Sequence, residues 1–367
     1  MIKRVLKCLS RFLVLLIVFS LIFWYNKINR AYNASIPNGI PYKMEQEDNN
    51  SFSTANTVNA KNLVIGRIYQ TTNSVQDKDY FKIYLNLGEV VSISFINAHQ
   101  NVNYNIYLYN PSQSLVASST NSTGKNEFIQ YTVSSSGYYY ILVSSSYGHS
   151  GSEYYYLQVM KTLYDTGNTN TSYNRNKAVN WAKDNANFKE TYVCNGITFA
   201  NFYNLGGDCT NFASITLYAG GISMIYSSAT GIESNTNYWF YRTSSNRSTS
   251  WSGAEFFKRH WDNSSSKRAY QIRIYPVWYA YENFNSVVLG FLKEGDIVQH
   301  IDYDSDTFKD WVSYHSQIIV SKTSNDLLYA QHSVDQSGFY YGGSLKNYLN
   351  YRDPNIGWVI LYRISAN

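Results

Sequence analysis

Cysteine is nearly missing from this chain, with three residues in 367: Cys8, Cys194 and Cys209. Three thiols cannot form a disulfide framework, and the lack of any Cys-x-x-Cys pair argues against a structural zinc site. Charge is sparse as well, at 15%, and the net +5 includes no dense Lys/Arg stripe downstream of the N-terminal segment. That distribution argues against nucleic acid as a partner and leaves only weak attraction to an anionic cell envelope. There is no Gly-x-Ser-x-Gly elbow, no His-Glu-x-x-His helix, and no phosphate-loop or dinucleotide fingerprint. Serine-elbow and zincin hydrolases and nucleotide-binding folds are thereby set aside. What is abundant is tyrosine, 37 residues among many Asn and Ser, a bias suited to strands with one wet face and to work outside the cell. The length suits two domains and an N-terminal appendage.

Lys3, Arg4, Lys7 and Arg11 precede an apolar run from Phe12 to Tyr25 broken only by Ser20. Positive residues followed by such a run match an export signal. The run is short of the ~20 residues of a comfortable membrane span, although Val5 to Tyr25 stretches further. Asn29 and Tyr32 fit poorly at the −3 positions of the cleavage candidates Ala31 and Ala34. Residues 1–34 are therefore read as a signal peptide or an uncleaved membrane anchor, with the body secreted or membrane-anchored outside a Gram-positive-like cell.

Residues 35–55 read as a linker rich in Asn, Ser and acid. Eight short aromatic and β-branched segments follow, from Leu63–Tyr69 to Tyr154–Val159, punctuated by Gly88, Asn110-Pro111, Gly124, Gly137 and Gly148. Several alternate with period two, as in Phe81-Lys82-Ile83-Tyr84-Leu85, which predicts an all-β sandwich of jelly-roll type. A second linker spans 161–172. Beyond it, helix-period segments (Tyr173–Asn185, Cys209–Tyr218, Trp251–Trp261) precede strands (Ile297–Ile301, His315–Ser321, Leu328–His332, Trp358–Tyr362). Helices first and an antiparallel sheet afterwards predict an α+β domain over 173–365, in a multidomain chain.

Residues 45–160 resemble the bacterial pre-peptidase C-terminal domain, a β-sandwich attached to secreted peptidases. The likeness rests on Glu45-Gln46-Glu47-Asp48-Asn49-Asn50-Ser51-Phe52, the Gly66 turn, and Asp77-Lys78-Asp79-Tyr80-Phe81. Some members bind calcium through the acidic segment. Glu45, Glu47, Asp77 and Asp79 are hard oxygen ligands of the kind such a site needs, the alternative being a solvated acidic linker and an ordinary Asp-rich turn.

The chemistry centres on Gly206-Gly207-Asp208-Cys209-Thr210-Asn211-Phe212. The glycines permit a tight turn, Asp208 suits an N-cap, and Cys209 falls in the first helical turn, where free N–H groups and the helix dipole favour a thiolate. His315 opens a predicted strand and is the candidate base of a Cys–His pair. On the next predicted strand, His332 is the expected third group that fixes the imidazole, with Gln331 and Asp335 as competitors. Asp208, Gln331 and Tyr203 are candidates for support or the oxyanion site, and the Cys209 backbone N–H is the safer donor. A Cys194–Cys209 disulfide is the structural alternative for both thiols.

Asp208-Cys209-Thr210-Asn211-Phe212-Ala213 resembles the nucleophile motif of the NlpC/P60 peptidases, and Leu292-Lys293-Glu294-Gly295-Asp296-Ile297-Val298 resembles the strand preceding their histidine. A closer likeness is to a relative in the same papain-like group, the family called the putative amidase domain of Gram-positive bacteria. Its pattern recurs in order as Tyr173-Asn174-Arg175, Gly207-Asp208-Cys209-Thr210-Asn211-Phe212-Ala213, Trp251-Ser252-Gly253-Ala254, Gly295-Asp296-Ile297-Val298-Gln299, His315-Ser316-Gln317 and Gln331-His332-Ser333. The resemblance implies a papain-like fold whose Cys–His pair hydrolyses amide bonds without a required cofactor. Thr210-Asn211 replaces the Ser-Gly of NlpC/P60, which bears on what approaches the thiolate. Asp296 reads as structural. The function so implied is an exported cysteine amidase or peptidase acting on a peptide or on cell-wall peptidoglycan, with the sandwich on a cell surface or polymer. The competing reading is a surface-binding sandwich protein with a degenerate or redox-controlled amidase domain.

Overall fold

In the strand Lys78–Leu85, Asp79, Phe81, Ile83 and Leu85 turn inward while Tyr80, Lys82 and Tyr84 face outward, the period-two alternation the sequence carries. The computed structural model describes residues 40–69, 77–163, 166–226, 234–262, 266–333, 338–351 and 356–367. The apolar N-terminal run and Asp335 lie outside these residues. No helix among the described residues is long and apolar enough to cross a membrane.

Ten strands build the first region: β1 (Tyr42–Met44), β2 (Asn56–Thr57), β3 (Leu63–Gly66), β4 (Lys78–Leu85), β5 (Glu89–Ile96), β6 (Asn103–Tyr109), β7 (Leu115–Ser119), β8 (Glu127–Thr132), β9 (Gly137–Tyr147) and β10 (Tyr155–Leu163). They form two five-stranded sheets, β1-β3-β10-β5-β8 and β2-β4-β9-β6-β7. Phe81, Ile93, Phe95, Ile106, Leu108, Tyr139, Ile141 and Leu157 fill the space between them. All eight predicted segments are strands. The stretch expected as a leading linker also contributes β1, which runs parallel to β3 with Tyr42 opposite Leu63.

The second region contains α1 (Arg175–Asn185), the hairpin β11 (Thr191–Cys194) and β12 (Ile197–Ala200), α2 (Cys209–Ala219), α3 (Thr249–Ser252), α4 (Ala254–Trp261), β13 (Gln271–Pro276), α5 (Val277–Glu282), β14 (Ile297–Asp304), β15 (Asp310–Lys322), β16 (Leu327–Gln331), β17 (Tyr340–Ser344), α6 (Leu345–Tyr351) and β18 (Trp358–Arg363). Its antiparallel sheet has the order β13-β18-β14-β15-β16-β17. Ile297, Ile301, Ile318 and Ile360 pack on one face with Phe212, Trp251, Phe257 and Trp261 of the early helices. Val298, Ile319, Val359 and Leu361 pack on the other with Val277, Ala280, Leu345 and Leu349. The expected helix Trp251–Trp261 is two helices, because Gly253 is extended (φ −107°, ψ 127°) and serves as cap to both.

The two regions are docked together. β5 is buried on both faces: Val91, Ile93 and Phe95 enter the sandwich core, while Ser92 and Ser94 meet the second region. Ser92 Oγ and Gln130 Nε2 donate to Ile274 O (3.2 and 2.9 Å), Trp278 Nε1 donates to Ser94 Oγ (3.1 Å), and Trp358 Nε1 donates to Gln158 Oε1 (2.6 Å). Within the expected second linker, Asn170 Nδ2 donates to Arg268 O and Ile364 O, so this stretch lies along the second region.

Candidate active site

Gly206 and Gly207 sit at φ 99° and 116°, conformations that favour glycine, and they swing the chain into α2. Cys209 is the first residue of α2. Asp208 occupies the N-cap position but does not cap the helix. Its buried carboxylate accepts instead from Phe202 N (2.9 Å), Asn211 Nδ2 (2.8 Å) and His332 Nδ1 (2.7 Å). The first-turn N–H groups are therefore not engaged by the cap side chain, and Cys209 sits at the positive end of the helix.

His315 hydrogen-bonds to the Cys209 sulfur. Its Nε2 donates to Gln331 Oε1 at 2.8 Å, which leaves Nδ1 for the thiol. The Gln331 amide is itself held: its Oε1 also accepts from Gln317 Nε2 (2.9 Å), and Gln317 Oε1 accepts from His300 Nε2 (2.8 Å). Because a donor already faces it, the oxygen of Gln331 must be the atom turned toward His315, and this sets the tautomer. Tyr348 of α6 packs near-parallel to the His315 ring, with centroids 6.3 Å apart.

Burial alone would raise the Cys209 thiol. The hydrogen bond and charge of His315, the Thr210 hydroxyl and the Ser316 N–H outweigh it and hold the thiol below its ordinary value. Burial likewise disfavours the His315 cation, yet the Cys209 thiolate and Gln331 raise it above the usual histidine value. Each group thus favours the charged form of the other. Cys194, by contrast, is free and is pushed up to about 11 by burial. Cys209 is also free, so the two thiols form no disulfide.

The structure corrects several expected positions. His332 does not orient His315. Its Nε2 donates to Asn185 O at 2.9 Å and its Nδ1 lies 2.7 Å from Asp208 Oδ2, so it ties the end of α1 to the turn before α2. The reason is a register shift. Lys322 pairs with Leu327 and Ser321 with Leu328, but Ile319 pairs with Tyr329 and Ile318 with Ala330. The bulge at Val320 displaces the partner strand by one residue, which exchanges its faces and brings Gln331 to the His315 side. His315 is also mid-strand instead of opening one. A second bulge lies here, with His300 opposite His315 and Ile301 opposite Ser313, and Tyr314 is exposed beside it.

Tyr203 packs its ring edge-on to Phe188 and Phe339, in an aromatic cluster. Asn211 is wholly buried and joins Ala200 O (2.9 Å), Asp208 and Trp251 Nε1 (2.8 Å), so it braces the helix start and does not approach the thiolate. Asp296 is structural as expected, accepting from Arg175 Nη1 (2.7 Å), Lys293 N (2.8 Å) and Ile364 N (2.9 Å). Thr210, Ser316, Gln317 and His300 were not singled out as site residues. The signal available for Gln317 was its shared strand parity with His315.

In the sandwich, Glu45, Glu47 and Asp79 bring carboxylate oxygens within 4.8 Å of one another. Asp77 stands outside this cluster, because its oxygens accept from the backbone of Tyr69 and Lys78. Tyr155 bridges Glu45 and Asp79 through its hydroxyl, and Gly66 leaves room for both Tyr155 and Glu45. Burial and mutual repulsion raise the carboxyls, Glu47 to about 7. Asp79 Oδ1 and Asn49 Oδ1 are buried without partners, so this oxygen set fits a hard cation.

Residues 172–359 match the family described as "Putative amidase domain", and the chain belongs to that family, whose reaction is hydrolysis of amide bonds. No curated protein matches the chain. Among solved structures, the pre-peptidase C-terminal domain of a Bacillus anthracis collagenase is similar at 16% identity, covering 33% of this chain and 99% of that one, with a TM-score of 0.24. The periplasmic inhibitor of g-type lysozyme PliG from Aeromonas hydrophila is similar at 15% identity, covering 33% and 99%, with a TM-score of 0.22. The PliG of Salmonella Typhimurium is similar at 19% identity, covering 29% and 95%, with a TM-score of 0.20.

Proposed function

We propose that this protein is an exported cysteine amidase of the papain-like NlpC/P60 group, acting on peptide or amide bonds of cell-wall peptidoglycan. The observation that carries the reading is the hydrogen-bonded Cys209–His315 pair at the start of α2, with the far nitrogen of the imidazole held by Gln331. The thiolate adds to the amide carbonyl, and the resulting oxyanion faces the Cys209 N–H at the positive end of α2. Collapse breaks the C–N bond, and the Nδ1 proton of His315 passes to the leaving amine. His315 then takes a proton from water, whose oxygen attacks the thioester and expels the thiolate. Positioned proton transfer of this kind contributes roughly 10²–10⁴ in rate.

The sandwich has one sheet committed to the second region. Its other sheet presents Tyr80, Tyr84, Tyr109, Tyr138 and Tyr140, with Phe52 packed among Tyr80, Tyr109 and Tyr140. This aromatic face suits a polymer or cell-surface partner, and the oxygen cluster beside Asp79 suits calcium as a stabilising ion. The N-terminal segment would supply the export signal or membrane tether. The test is incubation of purified cell walls with the wild type and with Cys209→Ala. Release of new amino termini by the wild type alone supports the reading, and intact walls alongside cleavage of a simple peptide amide would remove its cell-wall part.

A further inference from the structure

A second chain of buried polar groups reaches the nucleophile through Thr210. Tyr362 Oη donates to Gln299 Oε1 (2.8 Å), and Gln299 Nε2 donates both to Ala254 O (3.0 Å) and to Ser316 Oγ (2.9 Å). Ser316 Oγ lies 2.9 Å from Thr210 Oγ1, and Thr210 Oγ1 lies 3.6 Å from Cys209 Sγ. Tyr362, Gln299 and Thr210 are 0% exposed and Ser316 is 1% exposed.

The direction of this chain is fixed at its Gln299 end by hydrogen-bond arithmetic. Reversing the Gln299 amide would set its oxygen against the carbonyl of Ala254, two acceptors face to face. With the amide so oriented, both Nε2 hydrogens are used and Ser316 Oγ accepts one of them. Ser316 Oγ, having accepted from Gln299, can give its own proton to Thr210 Oγ1. In that arrangement the Thr210 proton is available to the sulfur. Burial keeps Tyr362 a neutral phenol and therefore a donor. Within the working pH range no member of the chain titrates, so the donor it presents to Cys209 does not depend on the charge of His315.

Accepting the reading of Cys209 as nucleophile, we propose that Thr210 is a further catalytic residue, a fixed hydroxyl donor to the Cys209 thiolate aimed by Tyr362, Gln299 and Ser316. The proton stays on Thr210 throughout. Its hydrogen bond strengthens whenever the sulfur carries charge, in the resting thiolate and again as the thiolate leaves the thioester. It weakens in the neutral acyl-enzyme, so the arrangement favours deacylation. Thr210→Val removes the hydroxyl at nearly constant volume, and Thr210→Ser restores it.

The full chain is titrated by thiolate absorbance and by the pH dependence of iodoacetamide alkylation at Cys209. Thr210→Val should raise the midpoint by about one unit, equivalent to about tenfold less thiolate below it, and Thr210→Ser should return it toward wild type. The same upward displacement should appear in a His315→Ala background. A low wild-type midpoint left unmoved by Thr210→Val overturns this inference alone. A wild-type midpoint at the free-thiol value of about 8.5 removes the nucleophile reading itself. Should Thr210→Val fail to fold, Ser316→Ala reports on the same chain: it frees the Thr210 hydroxyl from its donor, and an unchanged midpoint together with an unchanged alkylation rate across pH would refute the aiming role.

Discussion

Gln331→Leu tests the claim that an amide oxygen, and not His332, holds the imidazole. The substitution removes the acceptor 2.8 Å from His315 Nε2 and also abandons Gln317 Nε2. A hydrogen bond to a charged group is worth about 1.5–3 kcal/mol. At roughly 1.4 kcal/mol per decade, the loss in turnover should be about 10–150-fold, together with a stability cost of about 1–3 kcal/mol for the stranded buried donors. Gln331→Glu keeps an oxygen in place and adds negative charge, so it should retain more activity and move the loss of the His315 proton to higher pH. The assay combines amide hydrolysis across pH, alkylation of Cys209, and ¹⁵N chemical shifts that identify which His315 nitrogen carries the proton. His332→Asn is the comparator: it severs the link between Asp208 and Asn185 and should lower the melting temperature while leaving the His315 tautomer unchanged. The reasoning is refuted if His332→Asn alters the His315 signature and Gln331→Leu does not.

Other expectations follow from the same geometry. The Cys209 thiol is lowered and the His315 imidazolium raised, so the ion pair should form as pH rises through the first apparent value and dissolve as it rises through the second. Stability from the thiolate is thus lost on acidification, stability from the imidazolium is lost on alkalinisation, and hydrolysis should follow a bell between them. Calcium at 100 times its dissociation constant should stabilise the chain by about 2.7 kcal/mol, a gain read by thermal unfolding and absent in Asp79→Asn. Trp358→Phe removes the donor to Gln158 across the contact between the two regions and should cost about 1–1.5 kcal/mol in urea unfolding with little change in Cys209 alkylation. An equal loss in alkylation rate would show that the contact reaches the site.

Much of the architecture is legible in local pattern. Alternation in β4 and β5 marks strands, because a half-buried strand must turn every second residue inward. The Gly-Gly-Asp-Cys sequence marks a helix start, because the paired glycines permit the tight turn that leads into it. Other elements leave little signal. β17 is short, and β13 runs into α5 with no turn residue other than Pro276 between them. The docking of β5 against Ile274 and Trp278 depends on two segments far apart in sequence, so Ser92 and Ser94 look like the wet face of an open strand until the second region covers them.

Legible from sequence alone were the two kinds of region and the place of Cys209 at the start of a helix. Each follows from residue type and short-range periodicity. Only the tertiary structure decided which group holds the imidazole. The choice between Gln331 and His332 turns on a single extra residue at Val320, and a one-residue register shift exchanges the two faces of a strand. It also decided that Asp208 braces His332 instead of capping α2, and that Thr210, Ser316, Gln299 and Tyr362 form one directed chain. Those assignments depend on which buried donors meet which acceptors, and groups 254, 299, 316 and 362 residues along the chain become neighbours only when the sheet closes beneath α2.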